Sequence, residues 1–263
     1  MEHQFVFVAG LHRSGTSLLH QILREHPDVS GFVATGVPAD EGQHLQTVYE
    51  PAHRFGGPGN FAFDERSHMD EFHPLATPEN GEALYAQWKE YWDTSRPYLV
   101  EKSPPNLVRT RFLQQLFPHS KYVVILRHPL AVSYATQKWS KTPIGCLLKH
   151  TLLAYERFLR DKSHLRDVFI LRYEDLVNQP QDVVGSIFEY LNLVSVEVGQ
   201  VIRSNINEQY FEMWERDLAS GSITASDMPP EFEARINRLG YSIRDCNALG
   251  EPPWLGTGRH RSI

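Results

Sequence analysis

An α/β fold in three layers, with a central parallel sheet of about four to five strands flanked by helices, is what this sequence predicts. Two observations carry the prediction. Four short apolar runs, FVFVAG (5–10), YLVEK (98–102), KYVVILR (121–127) and DVFILRY (167–173), have the length and β-branched content of strands buried on both faces, and a fifth short strand falls near Val29 to Val33. Each of the four precedes a helical pattern, the helices falling over 15–25, 106–117, 129–139, 143–162 and 180–191. Strands alternating with helices form a parallel sheet covered on both faces, and such sheets bind ligands beyond the carboxyl ends of their strands. The residues just after each strand are therefore where chemistry is to be sought.

At 263 residues the chain is read as a single domain over 1–263. Between about 36 and 97 the pattern loosens, and GGPGNFAFDERSHMDEFHP (56–74) has no period, so this stretch is expected to be an irregular acceptor-binding insertion. It is rich in aromatic residues, Phe55, Phe61, Phe63, Phe72, Trp88, Tyr91 and Trp92, which suit an apolar acceptor, although Trp88, Tyr91 and Trp92 equally fit the core face of one amphipathic helix. After 195 the chain reads as helical and polar, with GSITASDMPP (221–230) a surface loop and PPEFEARINRLGYS a closing helix.

Composition removes several function classes. With 26 basic against 32 acidic residues the formal charge is -6, which gives no field for a nucleic-acid partner. No run reaches the roughly 18 apolar residues of a membrane span, and the first strand starts too early for a signal peptide, so a cytoplasmic protein with no integral membrane segment is expected. Cys146 and Cys246 form no C-x-x-C, and His68 and His73 have no ligand pattern around them, so no metal site is expected.

The first strand runs into GLHRSGTSLL, where Gly10 and Gly15 keep the G-x-x-x-x-G spacing of a phosphate-binding loop but Thr16 stands where the lysine should be. The fold is thus P-loop-like. Backbone N–H groups of Ser14, Gly15, Thr16 and Ser17 at a helix start would wrap an anion, and Arg13 would add a fixed planar charge. The strand KYVVILR ends in arginine instead of a magnesium-binding aspartate, which points to a phosphate-like group held without metal. Other strand ends contribute Lys102, which on its own reads as a surface lysine, then Arg127 with Ser133 and Thr136 on the next helix, then Tyr173 with Glu174 and Asp175. For a base, GVPADEGQHLQTVY (36–49) offers Asp40, Glu41 and His44 on the first turns of a helix, where acidic residues are also favoured by the helix dipole alone.

Together GLHRSGTSLL, ILRHPLAVSYA and LRYEDLVNQP, in this order and spacing, resemble the sulfotransferases that use 3′-phosphoadenosine-5′-phosphosulfate (PAPS), in the bacterial, tyrosylprotein and Golgi-like branch with an arginine in the first loop. The resemblance implies transfer of a sulfuryl group from PAPS to a hydroxyl or amine acceptor by in-line displacement, leaving 3′-phosphoadenosine-5′-phosphate (PAP), with no metal required. It implies a cofactor-binding loop of His12, Arg13, Ser14, Gly15, Thr16 and Ser17, with Arg13 and Lys102 on the transferring group and its leaving oxygen. It places Arg127 and Ser133 on the 3′-phosphate and Tyr173 beside the adenine or that phosphate. The family's serine position is Ala135 in this chain, flanked by Ser133 and Thr136, and the family's C-terminal glycine-and-basic segment has only a loose match in Gly258 and Arg259. A glutamate serves as base in the tyrosylprotein branch, which favours Glu41 over His44. The acceptor is left open among small molecules, lipids, glycans and peptides, as is the oligomeric state. A P-loop kinase-like phosphotransferase using magnesium and ATP, and a non-catalytic nucleotide-binding protein of the same fold, are the alternatives. Arg13→Ala and Lys102→Ala are both expected to cost transfer more than stability.

Overall fold

Five parallel strands form one sheet in the computed structural model, which describes residues 3–197, 199, 202–224 and 228–255. They are β1 (Gln4–Gly10), β2 (Val29–Gly31), β3 (Tyr98–Lys102), β4 (Lys121–Leu126) and β5 (Val168–Arg172), in the order β2-β3-β1-β4-β5. β1 is central, with Val6 opposite Val100 on one side and Lys121 on the other. Because side chains alternate across a strand, each strand feeds both layers. Phe7, Ala9, Leu99, Tyr122, Val124 and Leu126 point to one face, and Val6, Val8, Val100, Val123, Ile125 and Leu171 to the other.

The second face is covered by α1 (Thr16–Arg24) and α7 (Pro180–Leu191), whose Leu19, Ile22, Leu23, Val184, Ile187 and Phe188 fill it. The first face carries the larger core, built on α2 (Pro78–Trp88), α3 (Thr110–Leu116), α4 (Pro129–Ser140) and the long α5 (Ile144–Asp161). The short α6 (Tyr173–Asn178) leads into α7, while α8 (Glu208–Ser220) packs on α4 and α9 (Glu231–Arg238) packs on α5. Capping explains where the helices begin. Pro78 and Pro129 open α2 and α4 with a preset φ, Thr77 accepts from the Asn80 N–H, and the His128 ring accepts from the Leu130 N–H.

Three expectations about elements change. The stretch expected as a helix over 106–117 starts with a 3-10 segment, Pro104–Val108, after which α3 turns regular at Thr110. The insertion is not wholly irregular, since it contains α2. Trp88 ends that helix and is buried, Trp92 lies beyond it and is also buried, and Tyr91 is exposed. Phe61, Trp88 and Trp92 are therefore core residues and not acceptor contacts, whereas Phe63, Phe72 and Tyr91 reach solvent. The rest of the insertion is a chain of single 3-10 turns pinned to the first face by Tyr49, Phe61, Ala62 and Met69. Gly258 and Arg259 lie outside the described residues.

Candidate active site

The loop between β1 and α1 takes its shape from two residues with positive φ. Arg13 sits at φ 68, a left-handed conformation uncommon for a residue with a Cβ, and Gly15 sits at φ 108. At Gly15 a Cβ would lie 2.7 Å from the Tyr173 ring, so any other residue would have to displace that ring at a φ that favours glycine. The loop closes with Ser14 N–H on the Leu11 carbonyl at 3.0 Å, and Ser14 and Thr16 are buried while Arg13 and Ser17 face out. Nothing caps α1 with a side chain and its first turn has no acidic residue. A helix N-terminus in that state presents partial positive charge and N–H groups to an incoming anion.

One residue beyond β4, the buried Arg127 fastens this loop from below. Its Nη1 donates to the Arg13 carbonyl at 2.7 Å, its Nε donates to Asn207 Oδ1 at 2.8 Å, and its guanidinium lies 4.2 Å from the centre of the Tyr173 ring. Burial pulls its pKa down, opposed chiefly by Tyr173 and Glu174. The Nη2 of Arg127 and the Oγ of Ser14 are buried polar atoms with no partner, which costs stability unless something arrives to fill the need. Glu174 holds the same corner together by accepting from the His128 N–H at 3.0 Å, Asn207 Nδ2 at 2.7 Å and the Tyr241 hydroxyl at 3.0 Å.

At the end of β3, Lys102 is wholly buried, so it is not the surface lysine that its local sequence suggests. Its Nζ donates to the Ala39 carbonyl at 2.7 Å and meets Glu41 Oε1 at 3.3 Å. Gln43 Nε2 donates to the other Glu41 oxygen at 2.5 Å, and His44 Nε2 stands 3.9 Å from it. The expected helix around Asp40, Glu41 and His44 does not form. Ala39 and Asp40 take positive φ, and two separate 3-10 turns, Pro38–Asp40 and Gly42–His44, replace it. The reason is that the backbone here is claimed by β3 and the residue after it: Gly42 N–H donates to Glu101 Oε1 at 3.0 Å and Gln43 N–H donates to Ser103 Oγ at 3.0 Å. Asp40 turns away to accept from Thr35. Glu101 is buried, and desolvation pushes its carboxyl up to about 7 against hydrogen bonds from Ser103 and Asn106 that favour the charged form.

Between the two groups lies His12, half-buried, its buried Nδ1 without a partner and its ring edge-on to Phe61. Burial lowers its pKa to about 4, Glu41 partly opposing, and His150, Lys102 and His44 push the same way as burial. Ser133 is buried in a narrow cleft shared with His12, Thr136 and His150, and its hydroxyl donates to the Pro129 carbonyl at 2.7 Å. Thus Arg13, Ser14, Gly15, Arg127 and Tyr173 come together, Lys102, Glu41 and His44 come together, and Ser133 sits on a side wall. Sequence reasoning missed Asn207 and Tyr210, whose ring is 5.5 Å from the Arg127 guanidinium. Their segment carries no motif, so only the fold could have found them. It also missed Trp139, over whose ring Arg13 lies at 4.7 Å.

A parallel sheet with an anion-ready glycine loop after β1 and cationic side chains at the neighbouring strand ends defines a P-loop-like α/β protein built to hold phosphorylated ligands. Residues 5–197 match the model of the sulfotransferase family, and the chain belongs to that family. The kinase-like and non-catalytic alternatives are not favoured by this membership. A protein-tyrosine sulfotransferase 1 of Danio rerio is 24% identical over 196 residues, covering 72% of this chain and 53% of that protein, so the chain spans about half the length of the curated relative it matches. Among solved structures, the sulfotransferase domain of the olefin synthase from Synechococcus has a TM-score of 0.52 at 19% identity, covering 91% of this chain and 94% of that one. The sulfotransferase domain of the curacin biosynthetic pathway has a TM-score of 0.51 at 16% identity, with 90% and 96% covered. Both likenesses concern the fold. Among the described residues no helix is long and apolar enough to cross a membrane.

Proposed function

We propose that this protein moves a sulfuryl group from PAPS to a hydroxyl or amine acceptor, and that its site residues divide the work as the two clusters are divided. The observation that carries this is the anion cradle: an uncapped α1 N-terminus beside two unpartnered buried polar atoms, Arg127 Nη2 and Ser14 Oγ, in a member of the sulfotransferase family. The residues present fit the nucleotide, because Ser14 Oγ and Arg127 Nη2 are spare polar atoms open to an anion and Gly15 puts no Cβ at the turn before α1. His12 to Ser17 hold the 5′ end through backbone and hydroxyl donors. Arg127 is the principal ligand of the 3′-phosphate, with Thr136 or Ser133 second, since the Ser133 hydrogen is already given to Pro129. Tyr173, whose ring packs on the Arg127 guanidinium, would flank the bound nucleotide.

When bound, PAPS supplies an activated sulfuryl group whose transfer gathers negative charge on the peripheral and bridging oxygens. Arg13 and Lys102 set fixed positive charge where that charge develops, which is the role a metal fills in other transfers, and none is required in this proposal. Glu41 accepts the acceptor's proton, its carboxylate paired with Lys102 until then, and His44 is the second candidate. The acceptor belongs to the small-molecule, lipid, glycan or peptide class, and the likeness to a protein-tyrosine sulfotransferase supports including a peptide tyrosine.

Calorimetric titration with PAP in EDTA, beside ATP with and without magnesium, tests the proposal. Metal-free binding of PAP that Arg127→Ala weakens at least tenfold is expected. Preference for magnesium and ATP would overturn it.

A further inference from the structure

Arg13 is held at both ends by one segment. Its carbonyl accepts from Arg127 Nη1 at 2.7 Å, and its guanidinium lies 4.7 Å from the centre of the Trp139 ring, so residues just before and near the end of α4 fix the backbone and the side chain of the same loop residue. Among the described residues the Arg13 guanidinium makes no hydrogen bond and no ion pair, which leaves Trp139 as its support. Trp139 itself is 58% exposed, far more than core packing would allow for so large an apolar side chain. The positive φ of Arg13 completes the picture, since that backbone costs energy and persists only where the surroundings hold it.

We propose that Trp139 is a positioning residue: by stacking under the Arg13 guanidinium it keeps that charge outside the mouth of the α1 N-terminus, free to meet the outermost group of a bound nucleotide while the loop N–H groups hold the inner phosphate. This rests on the function proposed above. A planar guanidinium suits the face of an indole, whereas a compact ammonium on a flexible stem would be placed less firmly.

The test compares PAP, which ends at the 5′-phosphate, with PAPS, which carries the outer sulfuryl, by calorimetry on the whole chain. Trp139→Ala should weaken PAPS about two- to fivefold, the loss of one exposed cation–π contact, and leave PAP unchanged. Trp139→Phe should recover most of the loss. In an Arg13→Ala background Trp139→Ala should have no further effect, the coupling that a merely structural tryptophan would not show. Tryptophan fluorescence should respond to PAPS in the unmutated protein and lose that response in Trp139→Phe. Equal losses for PAP and PAPS, or additive losses in the double variant, would overturn the role of Trp139 while leaving the proposed function standing. Failure of the unmutated protein to bind PAP would overturn both.

Discussion

The two halves of the site are built in opposite ways. The cradle half is local at its centre: β1, its loop and the start of α1 are continuous in the chain, with Arg127 and Tyr173 added from later strand ends, and the groups proposed to hold the ligand are backbone N–H groups and exposed or unpartnered donors. The Glu41 half is assembled from afar, with Lys102 and Glu101 on β3 gripping residues about 60 positions earlier, and its polar atoms already satisfy one another. The first is a receptacle with open valences, and the second is a closed network that, in the proposed reaction, must be partly opened. A receptacle tolerates variation in everything except backbone shape. A closed network tolerates little, because every member is also a structural partner.

Acidification should strain both halves at once and have the largest effect. Burial lowers the pKa of His12 and His128 to about 4 and of His20 and His150 to about 3, all below the ordinary value of 6.5. As pH falls through 6.5 the unfolded chain takes up protons that these folded histidines refuse until near 4 or below, so their contribution is complete above about 6.5 and drains away beneath it, partly offset by Glu101, whose carboxyl, raised to about 7, favours the folded chain as pH falls toward 4.5. The loss between pH 7.5 and 4.5 should amount to several kcal/mol, since each tenfold drop in a histidine's proton affinity on folding is worth roughly 1.4 kcal/mol, and urea unfolding midpoints at the two pH values would measure it. His150, whose Nε2 accepts from the Ala62 N–H and so docks the insertion, should account for part: His150→Gln is expected to flatten the profile.

Next in size is the closed network. Lys102→Met leaves Glu41 buried beside a methyl group, so the burial of Lys102 alters the expectation that its loss would spare stability. Removal of one partner of a buried pair costs on the order of 3 kcal/mol, and Lys102→Met combined with Glu41→Gln should recover most of that in chemical denaturation while leaving the protein inactive. The smallest effect on the fold should come from the open half. Gly15→Ala puts a Cβ against Tyr173 at a φ that costs about 1–3 kcal/mol, and the penalty should appear mainly as weaker PAP binding, measured by calorimetry, because the ring it displaces is the one stacked on Arg127. If Gly15→Ala instead destabilised the protein more than Lys102→Met, the contrast between the halves would be wrong.

That contrast also governs what could be read from the sequence. Five strands, the helices over 15–25, 129–139, 143–162 and 180–191, the closing helix and the glycine loop were legible because each is written in contiguous residues, an apolar run, a helical period or a glycine spacing, whereas the helix expected over 106–117 begins as a 3-10 segment. Arg127 and Tyr173 were legible as strand-end residues. The burial of Lys102 was not, since nothing adjacent to it announces Glu41, and the turns around Glu41 were mistaken for a helix because the groups that divert their backbone, Glu101 and Ser103, come from another part of the chain. Asn207 and Trp139 escaped for the same reason, one in a polar segment and one on an ordinary helix, each singled out only by the arginine it meets.

Arg127 joins the cradle to Asn207, and Glu174 in turn joins Asn207 and Tyr241, so the corner around Arg127 is finished by residues beyond 197, where the match to the family ends. The family match and the mechanics thus draw different borders on this chain. The matched segment is shorter than the unit that carries load, and Asn207 and Tyr241, outside it, are the keystone of the corner around Arg127.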